Sequence, residues 1–192
     1  MKLPELLAPA ATLSVLKTAI RYGADAVYLG GESFGLRAGA DNFSNEEIKE
    51  GIQFAHERGK KVYITVNIFA HDNDLAGVEK YLHELNDLAP DALLIADPGI
   101  FSMAKRILTN GVTDIHISTQ ANNTNYEIFR FWHELGASRV VGARELSLAE
   151  IKDIKAHIPS DMEMEIFVHG AMCISYSSRC LLSNYFTGRD AN

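Results

Sequence analysis

Cysteine is nearly absent: Cys173 and Cys180 are the two thiols in 192 residues. So few exclude a disulfide scaffold. No apolar run approaches the ~20 residues a membrane span needs, and the start, Met1-Lys2-Leu3-Pro4-Glu5, lacks the apolar stretch of a signal peptide. A cytoplasmic, reducing compartment and no membrane partner are therefore expected. Positive charge is short too, with 18 Lys and Arg against 25 Asp and Glu, a net charge of −7. That rules out a uniformly basic nucleic-acid binder and leaves room for a local basic patch. Zinc-peptidase His-Glu-x-x-His and hydrolase Gly-x-Ser-x-Gly are missing, so two common hydrolytic signatures have no support. What the chain does have is 47% hydrophobic residues, enough for one domain with a sizeable core.

Short apolar runs alternate with longer helical patterns. Strands are expected at 5–7, 26–29, 62–67, 92–95, 115–118, 139–142 and 164–168. Helices are expected at 12–22, 45–58, 74–88, 99–108, 126–135 and 147–157. Ser44 before Asn45-Glu46-Glu47, and Ser147-Leu148-Ala149-Glu150, read as helix starts, the second as a capping box. Gly59, Gly111 and Gly136 read as helix stops. Strand-then-helix repetition implies a parallel sheet. No Rossmann Gly-x-Gly-x-x-Gly follows the first strand, which favours a TIM-type (β/α)8 barrel over a doubly wound sheet. About seven βα units fit, and no eighth strand is visible before Asn192. Residues 1–192 are thus expected to form a single, incomplete α/β barrel domain.

Side chains alternate faces along a strand. In the seventh strand, Glu163, Glu165, Phe167 and His169 share the face that would look into the barrel. Tyr63, Thr65 and Asn67 do so in the third, and His116, Ser118 and Gln120 in the fifth; Glu5 and Tyr28 can join them. Barrel interiors are mostly branched aliphatic, so these groups either bond one another or line a cavity. Barrel function sits at the C-terminal strand ends. There the chain places Gly30-Gly31-Glu32 with Arg37, then Asn67, His71-Asp72 and Asp97. Gln120, Asn122 and Asn123 follow, then Arg144-Glu145, and finally His169.

The densest motif is Glu165-Ile166-Phe167-Val168-His169-Gly170-Ala171-Met172-Cys173, with Cys180 after six further residues and then Leu182-Ser183. It resembles the signature of the collagenase-like peptidases of unknown catalytic type, peptidase family U thirty-two. The family's Gly two residues before the second Cys is Ser178 here. Pro4-Glu5-Leu6-Leu7-Ala8-Pro9-Ala10, the segment 22–30 and Ala143-Arg144-Glu145-Leu146-Ser147 extend the resemblance across nearly the whole chain. The branch it most resembles is the one associated with hydroxylating the wobble uridine of transfer RNA. The resemblance implies a four-iron four-sulfur cluster in the full-length protein, with Cys173 and Cys180 among its ligands. It places further cysteines after Arg189-Asp190-Ala191-Asn192, so this fragment is expected to carry no cluster. It also implies a prephenate-linked route, hence a small carboxylate co-substrate beside transfer RNA.

Each candidate has a plainer reading. Two thiols alone cannot complete a four-ligand site, and lone intracellular cysteines are commonly inert core residues. His169 and Glu165 suit acid–base roles, Glu165 through a pKa raised in a dry cavity, yet both could be structural. Glu145 is a third catalytic candidate, or simply the ion-pair partner of Arg144. Arg37, Arg144 and Arg179 could hold a carboxylate or phosphate in a guanidinium fork, with Asn67, Gln120 and Asn122 completing substrate binding. Gly30-Gly31 is a weak phosphate-loop signal and more commonly a tight turn. The competing functions are RNA hydroxylation, collagenase-like proteolysis with Cys173 and His169 as nucleophile and base, and a non-catalytic binding subunit.

Overall fold

The computed structural model describes residues 3–31, 42–170 and 185–186. Among them seven strands alternate with six helices. In order they are β1 (Leu7–Pro9), α1 (Leu13–Arg21), β2 (Ala26–Gly30), α2 (Asn45–His56), β3 (Lys61–Val66), α3 (Leu75–Leu88), β4 (Ala92–Ile95), α4 (Pro98–Ile107), β5 (Asp114–Ile117), α5 (Tyr126–Glu134), β6 (Arg139–Val141), α6 (Leu148–His157) and β7 (Glu163–Glu165). The strands pair in chain order, β1 to β7, and every pairing is parallel. This is an incomplete (β/α) barrel, with β1 and β7 as the two ends of the curled sheet.

Local chemistry fixes the helix starts. The Ser44 and Ser147 hydroxyls accept from the N–H of Glu47 and Glu150, whose carboxylates return to the serine N–H groups. Asp97 caps α4 ahead of Pro98 at the first helical position. Thr12 and Asn125 cap α1 and α5.

β4 matches the expected bounds and the other six strands differ by one residue or more; in three of them the hydrogen bonding marks where the strand starts or stops. β1 begins at Leu7, two residues late: the Leu6 N–H is taken by Asp25 Oδ2, and its carbonyl accepts from Asp25 N–H and from Ala26 N–H, the first bond of the ladder to β2. β6 stops at Val141 because Ala143 N–H turns away to Asn123 O. β7 ends at Glu165 for the same reason, its carbonyl taking the last sheet bond from Gly142 N–H. Residues 166–168 therefore extend past the ladder, and all three are exposed.

Two apolar layers follow from the alternation. Val62, Ile64 and Val66 of β3 join Leu93, Ile95, Ile115, Ile117 and Val140 under the helices, where Leu16, Leu82, Leu85 and Phe129 meet them. The other face forms a smaller inner cluster: Ala26, Tyr63, Ala92, Leu94 and Val141, with Leu7 and Tyr28 against it. The interior is therefore less polar than the sequence implies, an apolar girdle between two polar ends. Phe129 and Trp132 of α5 pack onto the barrel. Gly31 is a close-packing glycine: a Cβ there would lie 2.0 Å from the Tyr81 hydroxyl on α3.

Candidate active site

At the C-terminal strand ends, two candidates meet directly. Asn67 follows β3 and Gln120 lies in the 3-10 turn Thr119–Ala121 after β5. Asn67 Nδ2 donates to Gln120 Oε1 at 3.0 Å, and Ser118 Oγ donates to the same oxygen. Asn67 Oδ1 is buried and has no hydrogen-bond partner among the described residues. A buried acceptor left unmet costs about 1–3 kcal/mol, which a bound donor would recover.

The turn carrying Gln120 is held rigidly. Asn123 is fully buried; its Nδ2 donates to Ser118 O at 3.1 Å and Val141 O at 2.9 Å, and its Oδ1 accepts from Trp132 Nε1 at 3.2 Å. Thr119 Oγ1 donates to Gly142 O at 3.2 Å. Asn122 takes a left-handed conformation, φ 59°, closing the turn through its N–H to Thr119 O, a role that asparagine tolerates. Arg144 and Glu145 follow β6, the first half-buried and the second exposed, while His169 lies beyond β7 and is exposed. Arg37, Arg179, Cys173 and Cys180 lie outside the described residues.

Glu165 is drawn to a different set. Arg139, first residue of β6, is buried and binds three carboxylates. Its Nη1 donates to Glu5 at 2.7 Å and to Glu165 at 3.4 Å, and its Nε to Glu163 at 2.8 Å. Tyr63 donates its hydroxyl to Glu5 at 2.8 Å. Glu5 precedes β1 and Glu163 opens β7, so this network belongs to the N-terminal half of the barrel. Burial pushes the Glu165 carboxyl up, and Arg139 only partly offsets it against the neighbouring charges of Glu5 and Glu163. For Glu5 burial also pushes up, but Arg139 and the Tyr63 hydroxyl outweigh it and hold the group below the usual carboxylate range. His116, with its ring edge-on to Tyr63 at 4.8 Å, is depressed to about 3 by burial, with the Arg139 and Lys61 charges adding.

Sequence reasoning left Arg139 out of the inward set. Alternation would have found it, since Arg139 and Val141 must share a face. Its three partners could not have been named without the register.

The comparisons with known proteins bear on this geometry. Peptidase family U32 matches over residues 11–192. The chain belongs to that family. It is 50% identical over 191 residues to tRNA hydroxylation protein P1 of Bacillus subtilis, covering 100% of this chain and 44% of that protein. It is 39% identical over 188 residues to the 23S rRNA 5-hydroxycytidine C2501 synthase of Escherichia coli, covering 98% of this chain and 28% of that protein. This U32 member thus spans less than half the length of either relative. Among solved structures, a U32 peptidase aligns with a TM-score of 0.71 at 17% identity, over 91% of this chain and 72% of that one, a likeness of fold. Among the described residues, no helix is long and apolar enough to cross a membrane.

Proposed function

We propose that this U32 member supplies the barrel of an RNA hydroxylase acting at C5 of a pyrimidine, the wobble uridine of transfer RNA. The observation that carries the reading is the 50% identity, along the whole chain, to a protein named for tRNA hydroxylation. The geometry is compatible with it. Asn67 and Gln120 present amide donors and acceptors at the C-terminal end, suited to the N3–H and carbonyl edge of an extruded pyrimidine. The orphaned Asn67 Oδ1 is an acceptor for N3–H. Arg144, with Arg37 and Arg179, is assigned to a small carboxylate co-substrate such as prephenate. Glu145 and His169, exposed at the same end, are candidates for proton transfer there.

A four-iron four-sulfur cluster is part of the proposal. Thiolates are the ligands such clusters take, so Cys173 and Cys180 fit by chemistry. Two ligands do not complete the set, and among the described residues no group of three His, Cys, Asp or Glu could hold a metal ion. The remaining cysteines would come from further chain. Bound, the cluster would supply redox chemistry; the residues described here position the base and the co-substrate.

The test is nucleoside mass spectrometry of transfer RNA from cells in which the full-length gene is deleted and then restored. Restoration of 5-hydroxyuridine by wild type, and its loss with Asn67→Ala/Gln120→Ala, is the expected result. Unchanged modification on deletion refutes the reading. Cleavage of fluorogenic collagen-like peptides that Cys173→Ala abolishes would favour proteolysis instead.

A further inference from the structure

The N-terminal end of the barrel holds a cavity of about 160 Å³, remote from the strand ends that carry Asn67 and Gln120. Its wall includes four carboxylates, Asp91, Asp114, Asp161 and Glu163, against the two cations Lys61 and Arg139. Arg139 is already committed to Glu5, Glu163 and Glu165, and Lys61 lies 4.0 Å from Glu5. Asp161 is paired with His133, and Asp91 Oδ2 accepts from Val62 N–H and faces His56. The Asp114 carboxylate has no partner among the described residues. His116 lines the same cavity, 3% exposed, and its Nδ1 is buried without a hydrogen-bond partner. Asp114 and His116 are two apart on β5 and so share its inner face.

An acidic wall alone would mean little. The bare, buried imidazole nitrogen is the second observation, and it narrows the ligand. An anion would meet four carboxylates. A metal ion would need a three-ligand group that the described residues lack. An uncharged donor would leave the carboxylate excess uncompensated. An ammonium group answers both features, with positive charge for Asp114 and N–H donors for a neutral ring nitrogen. We propose that this cavity binds a small primary ammonium ion between the Asp114 carboxylate and the His116 imidazole. The site is independent of the hydroxylation reading, since it shares no residue with the C-terminal end.

The test uses the full-length protein and methylammonium as the probe, at fixed ionic strength. Binding is followed by calorimetry and by the His116 ring resonances. Expected are a saturable heat and a saturable His116 shift, both at least tenfold weaker in Asp114→Asn. That variant changes an exposed side chain and should fold normally, which its thermal midpoint verifies. Tetramethylammonium, with equal charge and no N–H, should leave the ring unshifted. An equal response to tetramethylammonium, wild-type affinity in Asp114→Asn, or no saturable response would each overturn the proposal and leave water as the occupant.

Discussion

Arg139→Met removes the one guanidinium that three carboxylates share. Its side chain is 7% exposed; those of Glu5, Glu165 and Glu163 are 25%, 18% and 55% exposed. Glu163 can rehydrate, so the penalty falls on Glu5 and Glu165. Stripping the partner from a buried charge costs about 3–5 kcal/mol, and partial hydration of Glu5 places this site near the low end, about 3 kcal/mol. For a chain of this size that is a fall in Tm of roughly 6–12 °C. The pH dependence separates this cause from lost packing. In the wild type Glu5 has a lowered pKa, so its contribution is present above the unfolded value and lost as pH falls. Without Arg139, Glu5 and Glu165 are both raised by burial and by each other, so the variant regains stability as pH falls and they protonate. The gap between wild type and variant should therefore narrow from pH 7 towards pH 5, and close further in Arg139→Met/Glu5→Gln/Glu165→Gln. Urea unfolding across that range is the assay, with an unchanged m-value as control. A gap that is constant with pH, or no gap at pH 7, would refute the electrostatic account of Arg139.

Further outcomes follow from the same structure. His116 has a folded pKa of about 3 against the ordinary 6.5, so it stabilises above pH 6.5 and loses roughly 1.4 kcal/mol per unit as pH falls below it; His116→Gln should flatten the wild-type decline between pH 7 and 5 by about 2 kcal/mol, and its ring should remain neutral at pH 5 by NMR. Glu165→Gln alone should raise the urea midpoint at pH 7, because the group it replaces has a raised pKa and favours folding only when protonated; a lowered midpoint would show its bond to Arg139 to dominate. Gly31→Ala drives a Cβ into the Tyr81 hydroxyl and should cost about 1–3 kcal/mol, read as a drop in Tm. In anaerobically prepared full-length protein, Cys173→Ser and Cys180→Ser should each abolish bound iron and 5-hydroxyuridine together; full iron content in either variant would remove that residue from the ligand set.

Much of the scaffold was legible because it is written locally. Ser44 with Glu47, Ser147 with Glu150 and Asp97 with Pro98 mark helix starts within a single turn. The alternation of Val62, Tyr63, Ile64, Thr65 and Val66 assigns faces within a single strand. The ends of β6 and β7 were harder, since they stop where a neighbouring chain departs, at Ala143 and Asn123. In the candidate site, the placement of Asn67 and Gln120 at strand ends was readable, but their hydrogen bond spans 53 residues.

By itself the sequence determined the parallel βα order, the inner and outer faces, and the family, because periodicity, caps and motif spacing are short-range properties of the chain. Only the tertiary structure decided who meets whom. Arg139 reaches Glu5 across 134 residues, and that pairing depends on the register of seven strands and the curl of the whole sheet. It draws Glu165 into the N-terminal network and leaves His116 buried without a partner for its Nδ1. A residue's electrostatic environment is a sum over spatial neighbours, and these neighbours come from distant segments that no local pattern names.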